Sequence, residues 1–168
     1  MLIVSDTNIL SSLAAGEALH LLFRLFSDKT IHIPPAVQHE LSTGLARGRL
    51  HLEAVLQAIG NGKLQILHLA NKEQTLVKGL PTKLNAGERE AIALSKNRKG
   101  RLLSNDRQAV RYCRQNNINV IDLPLVLHLL WTRKIVSQAQ IKEVLEKMKA
   151  VENLQLSQNA LAIIFARN

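Results

Sequence analysis

The sequence has little cysteine, few aromatic residues and no long apolar run. Cys113 is the only cysteine among the 168 residues, so an internal disulfide bond is excluded. No apolar run reaches the roughly 18 residues of a membrane-spanning helix. Asp6 interrupts the N-terminal apolar stretch, which therefore does not match a secretory signal peptide. We expect an intracellular, soluble protein of the cytoplasm with no membrane partner.

Acidic and aromatic residues are scarce relative to basic ones. The chain carries 22 Lys and Arg against 13 Asp and Glu, which gives a formal net charge of +9. This charge favours polyanionic partners, nucleic acid first and an anionic lipid surface second, although a positive surface can also serve solubility alone. With three Phe, one Tyr and one Trp, we do not expect an aromatic platform that stacks single-stranded bases.

The spacing of apolar residues predicts an α/β protein. A chain of this length suits one domain with a substantial core. Apolar runs predict five short strands, at residues 2–5, 30–33, 64–69, 101–104 and 118–122. Helical spacing predicts helices between them, at residues 11–26, 35–48, 49–62, 85–100 and 107–117. Three further helices are predicted at 125–134, 138–150 and 157–167, and we expect them to pack on the sheet or on a partner.

The few acidic residues include five at predicted element boundaries. Asp6 follows the first strand, Glu40 lies in the helix after the second, Glu88 and Glu90 open a helix, and Asp106 follows the strand RLLS. Carboxylates that meet at the carboxyl edge of a parallel sheet repel one another unless a cation lies between them. Their hard oxygen atoms suit Mg²⁺ or Mn²⁺. The structural alternatives are helix caps for Asp6 and Asp106, and an ordinary exposed side chain for Glu40.

Four segments share the arrangement of an acid at or near the end of a strand: LIVSDTNIL, IPPAVQHEL, LNAGEREAIALS and RLLSNDRQAV. In this order they resemble the PIN-domain family, in particular its single-domain prokaryotic members such as the VapC-type toxins. The resemblance implies a Rossmann-like α/β/α sandwich with a central, mainly parallel sheet, in a single PIN-like domain over residues 1–168. Residues 1–122 would form its α/β core, and residues 123–168 resemble a helical extension seen in one branch of the family.

The same resemblance implies a metal-dependent ribonuclease that hydrolyses RNA phosphodiester bonds with Mg²⁺ or Mn²⁺. The family's catalytic acids, which are also its metal ligands, fall on Asp6, Glu40, Glu88 and Asp106. Three polar neighbours are candidates for holding these acids by hydrogen bonds, namely Thr7, Asn8 and Ser104. Three arginines share one face of the helix after Asp106 and are the candidate RNA-binding residues, namely Arg107, Arg111 and Arg114. For the arginines, the alternative is a solvated helix face.

Two glutamates compete for the third acidic position. Glu88 and Glu90 lie about 200° apart around a helix, so they cannot both face one site. Aligning the run EAIALS with the family's helix favours Glu88. The segment NAGE also has the pattern of a capping box, in which Asn85 caps the helix and Glu88 folds back onto the Asn85 amide. In that arrangement Glu90 would be the substitute metal ligand.

The expected partners are RNA, a second copy of the chain in a homodimer, and an antitoxin protein if the chain is the toxin of a toxin–antitoxin pair. The apolar segments LVLHLLW and ALAIIF could form the homodimer face or an antitoxin groove, or could belong to the core. The competing function is a catalytically silent PIN-like module that binds RNA or a protein, although the presence of all four acids argues against it. A phosphatase with an Asp-x-Asp nucleophile motif is disfavoured because position 8 is Asn8.

Overall fold

The computed structural model describes residues 1–167, and its centre is a parallel sheet of five strands. The strands are β1 (Ile3–Ser5), β2 (Ile31–Ile33), β3 (Leu64–Ile66), β4 (Arg101–Ser104) and β5 (Val120–Asp122). Their order across the sheet is β3-β2-β1-β4-β5, and every neighbouring pair is parallel. The predicted α/β/α fold with a parallel central sheet is therefore confirmed. The strand order reverses beside β1, which places the ends of β1 and β4 at a topological switch point.

Ten α-helices and one short 3-10 turn connect and cover the strands in the described part of the chain. The first five helices are α1 (Thr7–Ala15), α2 (Leu19–Leu25), α3 (Pro35–Ala46), α4 (Glu53–Gly60) and α5 (Asn71–Gly79). The other five are α6 (Ala86–Asn97), α7 (Arg107–Gln115), α8 (Leu123–Thr132), α9 (Gln138–Glu152) and α10 (Gln158–Ile164). The 3-10 turn, Leu50–Leu52, precedes α4. Within residues 1–167, none of these helices has the length and apolar character that crossing a bilayer requires.

The two faces of the sheet carry separate apolar clusters. Ile3 points into a large cluster with helices α1 to α4, α8 and α9. Its neighbour Val4 belongs to a second cluster with α6, α7 and the partly buried α5. Because successive strand residues point to opposite faces, the buried pair Ile3 and Val4 anchors both layers of helices. The sheet is thus covered on both sides, and its carboxyl edge stays open between the layers.

The predicted helix over residues 11–26 is two helices rather than one. Helix α1 ends at Ala15 and α2 begins at Leu19. Between them Glu17 has a φ of 55°, a left-handed conformation that breaks the helical hydrogen bonds. A Cβ atom on Gly16 would lie 2.9 Å from Cγ1 of Val144, so α9 crosses close to the backbone here. Apolar spacing continues across the break, which is why the pattern alone predicts one helix.

Helix α5 is absent from the sequence-based prediction, because its segment NKEQTLVKG is mostly polar. Glu73 accounts for its position: the carboxylate accepts a hydrogen bond from the Ala70 amide at 2.7 Å, and it pairs with the Nε atom of Arg98 at 2.6 Å. The Glu73 side chain is fully buried, and Arg98 holds the Glu73 pKa down at about 2. This ion pair joins α5 to the end of α6.

The three C-terminal helices pack on the core. Helix α8 contacts α2 and β5, α9 contacts α1, and α10 contacts α8. The indole of Trp131 donates a hydrogen bond to the carbonyl oxygen of Ile164 at 2.5 Å, which fixes α10 against α8. These contacts bring the connection between α9 and α10 beside the carboxyl edge of the sheet.

Candidate active site

Asp6 lies at the switch point, directly after β1, and caps α1. Its Oδ1 atom accepts a hydrogen bond from the Ile9 amide at 3.2 Å, and its Oδ2 atom accepts one from the hydroxyl of Ser104. The side chain is buried, with 1% of the residue exposed. Burial raises the pKa of Asp6 from 3.8 to about 7, against the lowering effect of these hydrogen bonds. Asp6 therefore caps α1, which is the structural role that its sequence position allows, and its pKa also lies well above that of an exposed aspartate.

Glu40 projects from α3 towards the first turn of α1 and the start of α6. It accepts hydrogen bonds from the Thr7 hydroxyl and from the Gly87 amide, the latter at 2.8 Å. A Cβ atom on Gly87 would lie 2.6 Å from Oε2 of Glu40, so only glycine allows the carboxylate to approach α6 this closely. Glu40 is therefore held by two other helices rather than extended into solvent.

Glu88 and Glu90 point in different directions. The predicted capping box is present: the Glu88 amide donates to Asn85 Oδ1 at 2.7 Å, and the Asn85 amide donates to Glu88 Oε2 at 3.0 Å. The same Glu88 carboxylate also accepts a hydrogen bond from Asn8 Nδ2 at 3.3 Å, so capping does not turn it away from the other acids. Glu90 instead accepts a hydrogen bond from the Ala36 amide at 2.9 Å, which anchors the first turn of α3.

Asp106 follows β4 and caps α7. Its Oδ1 atom accepts hydrogen bonds from the amides of Gln108 and Ala109, each at 2.8 Å. Among residues 1–167, no hydrogen bond to its other carboxylate oxygen is present. The Asp106 amide donates to the Ser104 hydroxyl at 3.2 Å. Ser104 therefore connects Asp106 with Asp6.

The four carboxylates are close enough to affect one another electrostatically. The negative charges of Glu88 and Asp106 add to the raised pKa of Asp6. Burial raises the pKa of Glu88 from 4.5 to about 7, and the charges of Asp106 and Glu40 add to that rise. Asp6, Glu40, Glu88 and Asp106 thus form one cluster of carboxylates, which we call the acid pocket. Such mutual repulsion is relieved either by protons or by a cation.

No three His, Cys, Asp or Glu side chains within residues 1–167 surround one point as metal ligands. Each acid of the pocket is instead tied to its own neighbours, Glu40 to Gly87 and Asp106 to the first turn of α7. The donor set fits a hard divalent cation, because it consists of carboxylate oxygens whose mutual repulsion a cation would offset. Binding would require these side chains to turn towards one another.

The three arginines of α7 are exposed. Arg114 forms an ion pair with Asp122 at 2.6 Å. Among the described residues, neither Arg107 nor Arg111 forms an ion pair within 4.0 Å. The two arginines nearest the Asp106 turn therefore keep an uncompensated positive charge.

Sequence reasoning missed a polar cluster around Glu152, the last residue of α9. The carboxylate accepts hydrogen bonds from the hydroxyls of Ser11 and Ser12, the latter at 3.0 Å. It also pairs with Arg49 at 3.0 Å and contacts His51 Nε2 at 3.1 Å. These five residues come from three distant parts of the chain, so no local sequence pattern predicts the cluster.

The cluster contains a serine, a histidine and a glutamate in contact, which are the residue types of a hydrolytic triad. Their geometry does not fit a triad. Ser11 Oγ and Glu152 Oε1 both contact the same nitrogen of His51, Nε2, at 3.0 and 3.1 Å. In a triad the acid must lie on the opposite ring nitrogen. Ser11 is also buried. The cluster is best described as a clamp between α9, α1 and the segment before α4.

The fold and the acid pocket define an α/β protein whose carboxylates gather at the carboxyl edge of a parallel sheet. The DUF3368 family model, described as a PIN domain, matches residues 2–167. The chain therefore belongs to the PIN-domain family, which confirms the resemblance of its four acid-bearing segments.

A solved structure shares this fold. A chain in the crystal structure of VapBC2 from Rickettsia felis, bound to a DNA fragment from the promoter, is 18% identical. The match covers 73% of this chain and 98% of that one, with a TM-score of 0.57. A domain of a functionally unknown protein from Methanocaldococcus jannaschii DSM 2661 is 19% identical over 72% of this chain and 89% of that one, with a TM-score of 0.46. No curated protein matches the chain significantly.

Proposed function

We propose that the protein is a divalent-metal-dependent endoribonuclease whose catalytic centre is the acid pocket. The observation that carries the proposal is the gathering of four carboxylates at the carboxyl edge of the sheet, two of them linked through the hydroxyl of Ser104. Burial, which raises the pKa values of Asp6 and Glu88 to about 7, supports it. Strongly perturbed carboxylates that share a cleft are candidates for a functional site. Membership of the PIN-domain family makes phosphodiester hydrolysis the reaction to expect.

In this proposal Asp6, Glu40, Glu88 and Asp106 hold Mg²⁺ or Mn²⁺. The ion would polarise the phosphoryl group and lower the pKa of a water molecule. The chain itself orients the ligands: the Ser104 hydroxyl holds Asp6, the Thr7 hydroxyl holds Glu40, and the Asn8 amide holds Glu88. Hydrogen bonds of this kind fix the direction of a ligand oxygen, and their loss typically weakens metal binding about 10- to 100-fold.

RNA is the substrate that the charge distribution favours. The formal net charge of +9 attracts a polyanion over long range. Arg107 directly follows Asp106, Arg111 lies one turn further along α7, and among the described residues neither forms an ion pair. Phosphates gripped there would lie beside the acid pocket.

A protein partner is also proposed, namely an antitoxin. The support is the structural likeness to a chain of VapBC2, a complex that was crystallised on its promoter DNA. Co-expression with the product of a neighbouring small gene tests this part. Co-purification together with loss of RNA cleavage supports it, and full activity with no co-purified partner contradicts it.

The proposed nuclease is tested with Glu88→Gln and the matched control Glu90→Gln. Glutamine at position 88 can still accept the hydrogen bond from the Asn85 amide in the capping box, so we expect α6 to remain folded. Glutamine at position 90 still accepts the Ala36 amide. Each protein is incubated with total bacterial RNA and Mn²⁺, and new RNA ends are mapped by sequencing.

We expect discrete cleavage sites for the wild type and for Glu90→Gln, and a loss of at least about 100-fold for Glu88→Gln. Equal activity in both variants would contradict the assignment of Glu88. RNA that is bound but left intact by the wild type with either Mg²⁺ or Mn²⁺ would favour the catalytically silent module instead.

A further inference from the structure

A cavity opens beside the acid pocket, between α7 and the connection from α9 to α10. Its volume is about 440 Å³. One wall is formed by arginines of α7, and the opposite wall by the C-terminal extension, including Leu156, Asn159 and Ile163. Neither wall alone would enclose this volume, so the cavity exists because the extension packs here.

The cavity adjoins the proposed catalytic centre. Asn105 and Arg107 line it, and they are the two chain neighbours of Asp106. Asp122, the last residue of β5, and Pro124, in the first turn of α8, also line it. It therefore occupies the carboxyl edge of β4 and β5, the edge at which open α/β sheets bind ligands.

The charge of the cavity favours an anion. Arg107, Arg111 and Arg114 line it together with one acid, Asp122. The acid neutralises Arg114 at 2.6 Å. Two guanidinium groups are then left for a ligand, and guanidinium is the group best suited to bidentate contact with phosphate.

The remaining lining suits a flat, partly apolar group with hydrogen-bonding edges. Val110, Leu156 and Ile163 supply apolar surface, and 44% of Ile163 is exposed. Asn105 and Asn159 supply amide donors and acceptors beside it. A few polar groups that orient a ligand on apolar walls are typical of small-molecule sites, as is a volume of several hundred Å³.

We propose that this cavity binds one nucleotide of the RNA, next to the phosphodiester that is cleaved. Arg107 and Arg111 hold its phosphates, and the base lies against Leu156 and Ile163 with its edge towards Asn159. The proposal rests on the proposed nuclease function for the identity of the ligand. It adds that the C-terminal extension forms the wall that reads the base and so sets the sequence preference of cleavage.

The test compares Ala160→Phe with Ala162→Phe. Both alanines lie on α10, but only Ala160 lines the cavity, whereas Ala162 is exposed elsewhere. The added phenyl ring fills the cavity only at position 160. A second pair, Arg111→Gln and Arg101→Gln, removes one charge inside the cavity and one at the opposite edge of the sheet. Thermal melting and circular dichroism confirm that each variant folds.

The probes are the four ribonucleoside 5′-monophosphates, titrated in EDTA and followed by NMR shifts of the α7 and α10 amides. We expect measurable binding with a preference for one base, weakened about tenfold or more by Ala160→Phe and Arg111→Gln and unchanged in the two controls. Equal binding in all variants, or no binding at millimolar concentrations, overturns the proposal. The second result would also be expected if the cavity took a protein segment.

Failure of this proposal and failure of the nuclease are distinguishable, because the titration needs neither metal nor cleavage. If the protein has no RNase activity but binds nucleotides in a way that Ala160→Phe weakens, the nuclease proposal is wrong and the nucleotide site is supported. If Ala160→Phe cleaves RNA at the same positions as the wild type, the nuclease proposal is supported and the nucleotide site is wrong.

Discussion

Replacing Asp6 by asparagine is expected to stabilise the metal-free protein at alkaline pH. Burial and the charges of Glu88 and Asp106 raise the pKa of Asp6 from 3.8 to about 7. The folded chain therefore holds a proton that the unfolded chain releases, so this group lowers the free energy of unfolding as pH rises from about 4 to about 7. Asparagine has the same shape and carries no charge, which removes this pH dependence.

The size of the effect follows from the two pKa values. Each pH unit between them corresponds to about 1.4 kcal/mol, so the raised pKa of Asp6 lowers the free energy of unfolding, relative to strongly acidic pH, by about 4 kcal/mol at about pH 8 and by about 2 kcal/mol at about pH 5.5. Asparagine keeps the oxygen that accepts the Ile9 amide, but its NH₂ group faces the Ser104 hydroxyl at a cost of about 1–3 kcal/mol. The net gain is about 1–3 kcal/mol at about pH 8 and close to zero at about pH 5.5.

The assay is urea unfolding in EDTA at both pH values, for the wild type and Asp6→Asn. The matched control is Asp122→Asn, because Asp122 also caps a helix and accepts the Leu125 amide at 3.1 Å. That variant loses the ion pair with Arg114 and should not gain stability. If Asp6→Asn gains nothing at about pH 8, or gains equally at both pH values, the reasoning about a buried and repelled carboxylate is wrong.

Two further predictions concern single contacts. Gly87→Ala puts a Cβ atom 2.6 Å from Oε2 of Glu40, whereas a Cβ atom on Gly79 meets nothing within 4 Å. RNA cleavage should fall about tenfold or more in Gly87→Ala and stay unchanged in Gly79→Ala, with equal activity contradicting the placement of Glu40. Glu73→Gln should lower the free energy of unfolding by about 2 kcal/mol near pH 7, because the pKa of about 2 makes Glu73 stabilising above its ordinary 4.5. That loss should vanish near pH 2. Urea unfolding at both pH values measures it, and a loss of the same size at both would contradict the prediction.

Four of the five strands were predictable because each is a short apolar run that ends at a polar residue or before proline, whereas β3 ends at Ile66 although the apolar run continues to Leu69. Ile31–Ile33 stops at Pro34, and Arg101–Ser104 stops before the acidic turn. A strand buried on both faces, such as β1, has a nearly continuous apolar run, whereas the edge strand β3 exposes Gln65. The break after Ala15 was not predictable in the same way, because it depends on how closely α9 crosses Gly16.

The local sequence left the choice between Glu88 and Glu90 open, because a Glu88 side chain that folds back onto the Asn85 amide was expected not to face the other acids. In the structure one Glu88 oxygen accepts the Asn85 amide while the other accepts Asn8 Nδ2. Glu90 is occupied by the Ala36 amide. Both contacts depend on the packing of α6 against α1 and α3, which is long-range information that the spacing of residues does not contain.

The clamp around Glu152 shows the same limit. Ser11 and Glu152 are 141 positions apart and meet only because α9 folds back over α1. A lone glutamate at the end of an amphipathic helix has the pattern of a solvated residue, so its burial against two serines has no sequence signal.

The most direct test of the account is calorimetric titration of Mn²⁺ into the wild type and Asp6→Asn at about pH 7.5. We predict saturable binding to the wild type, with release of protons from the acid pocket, and no binding to the folded Asp6→Asn protein. Glu90→Gln should bind as the wild type does. Equal binding by Asp6→Asn, or no binding by the wild type even with RNA present, would contradict the claim that these acids form a metal-dependent catalytic centre.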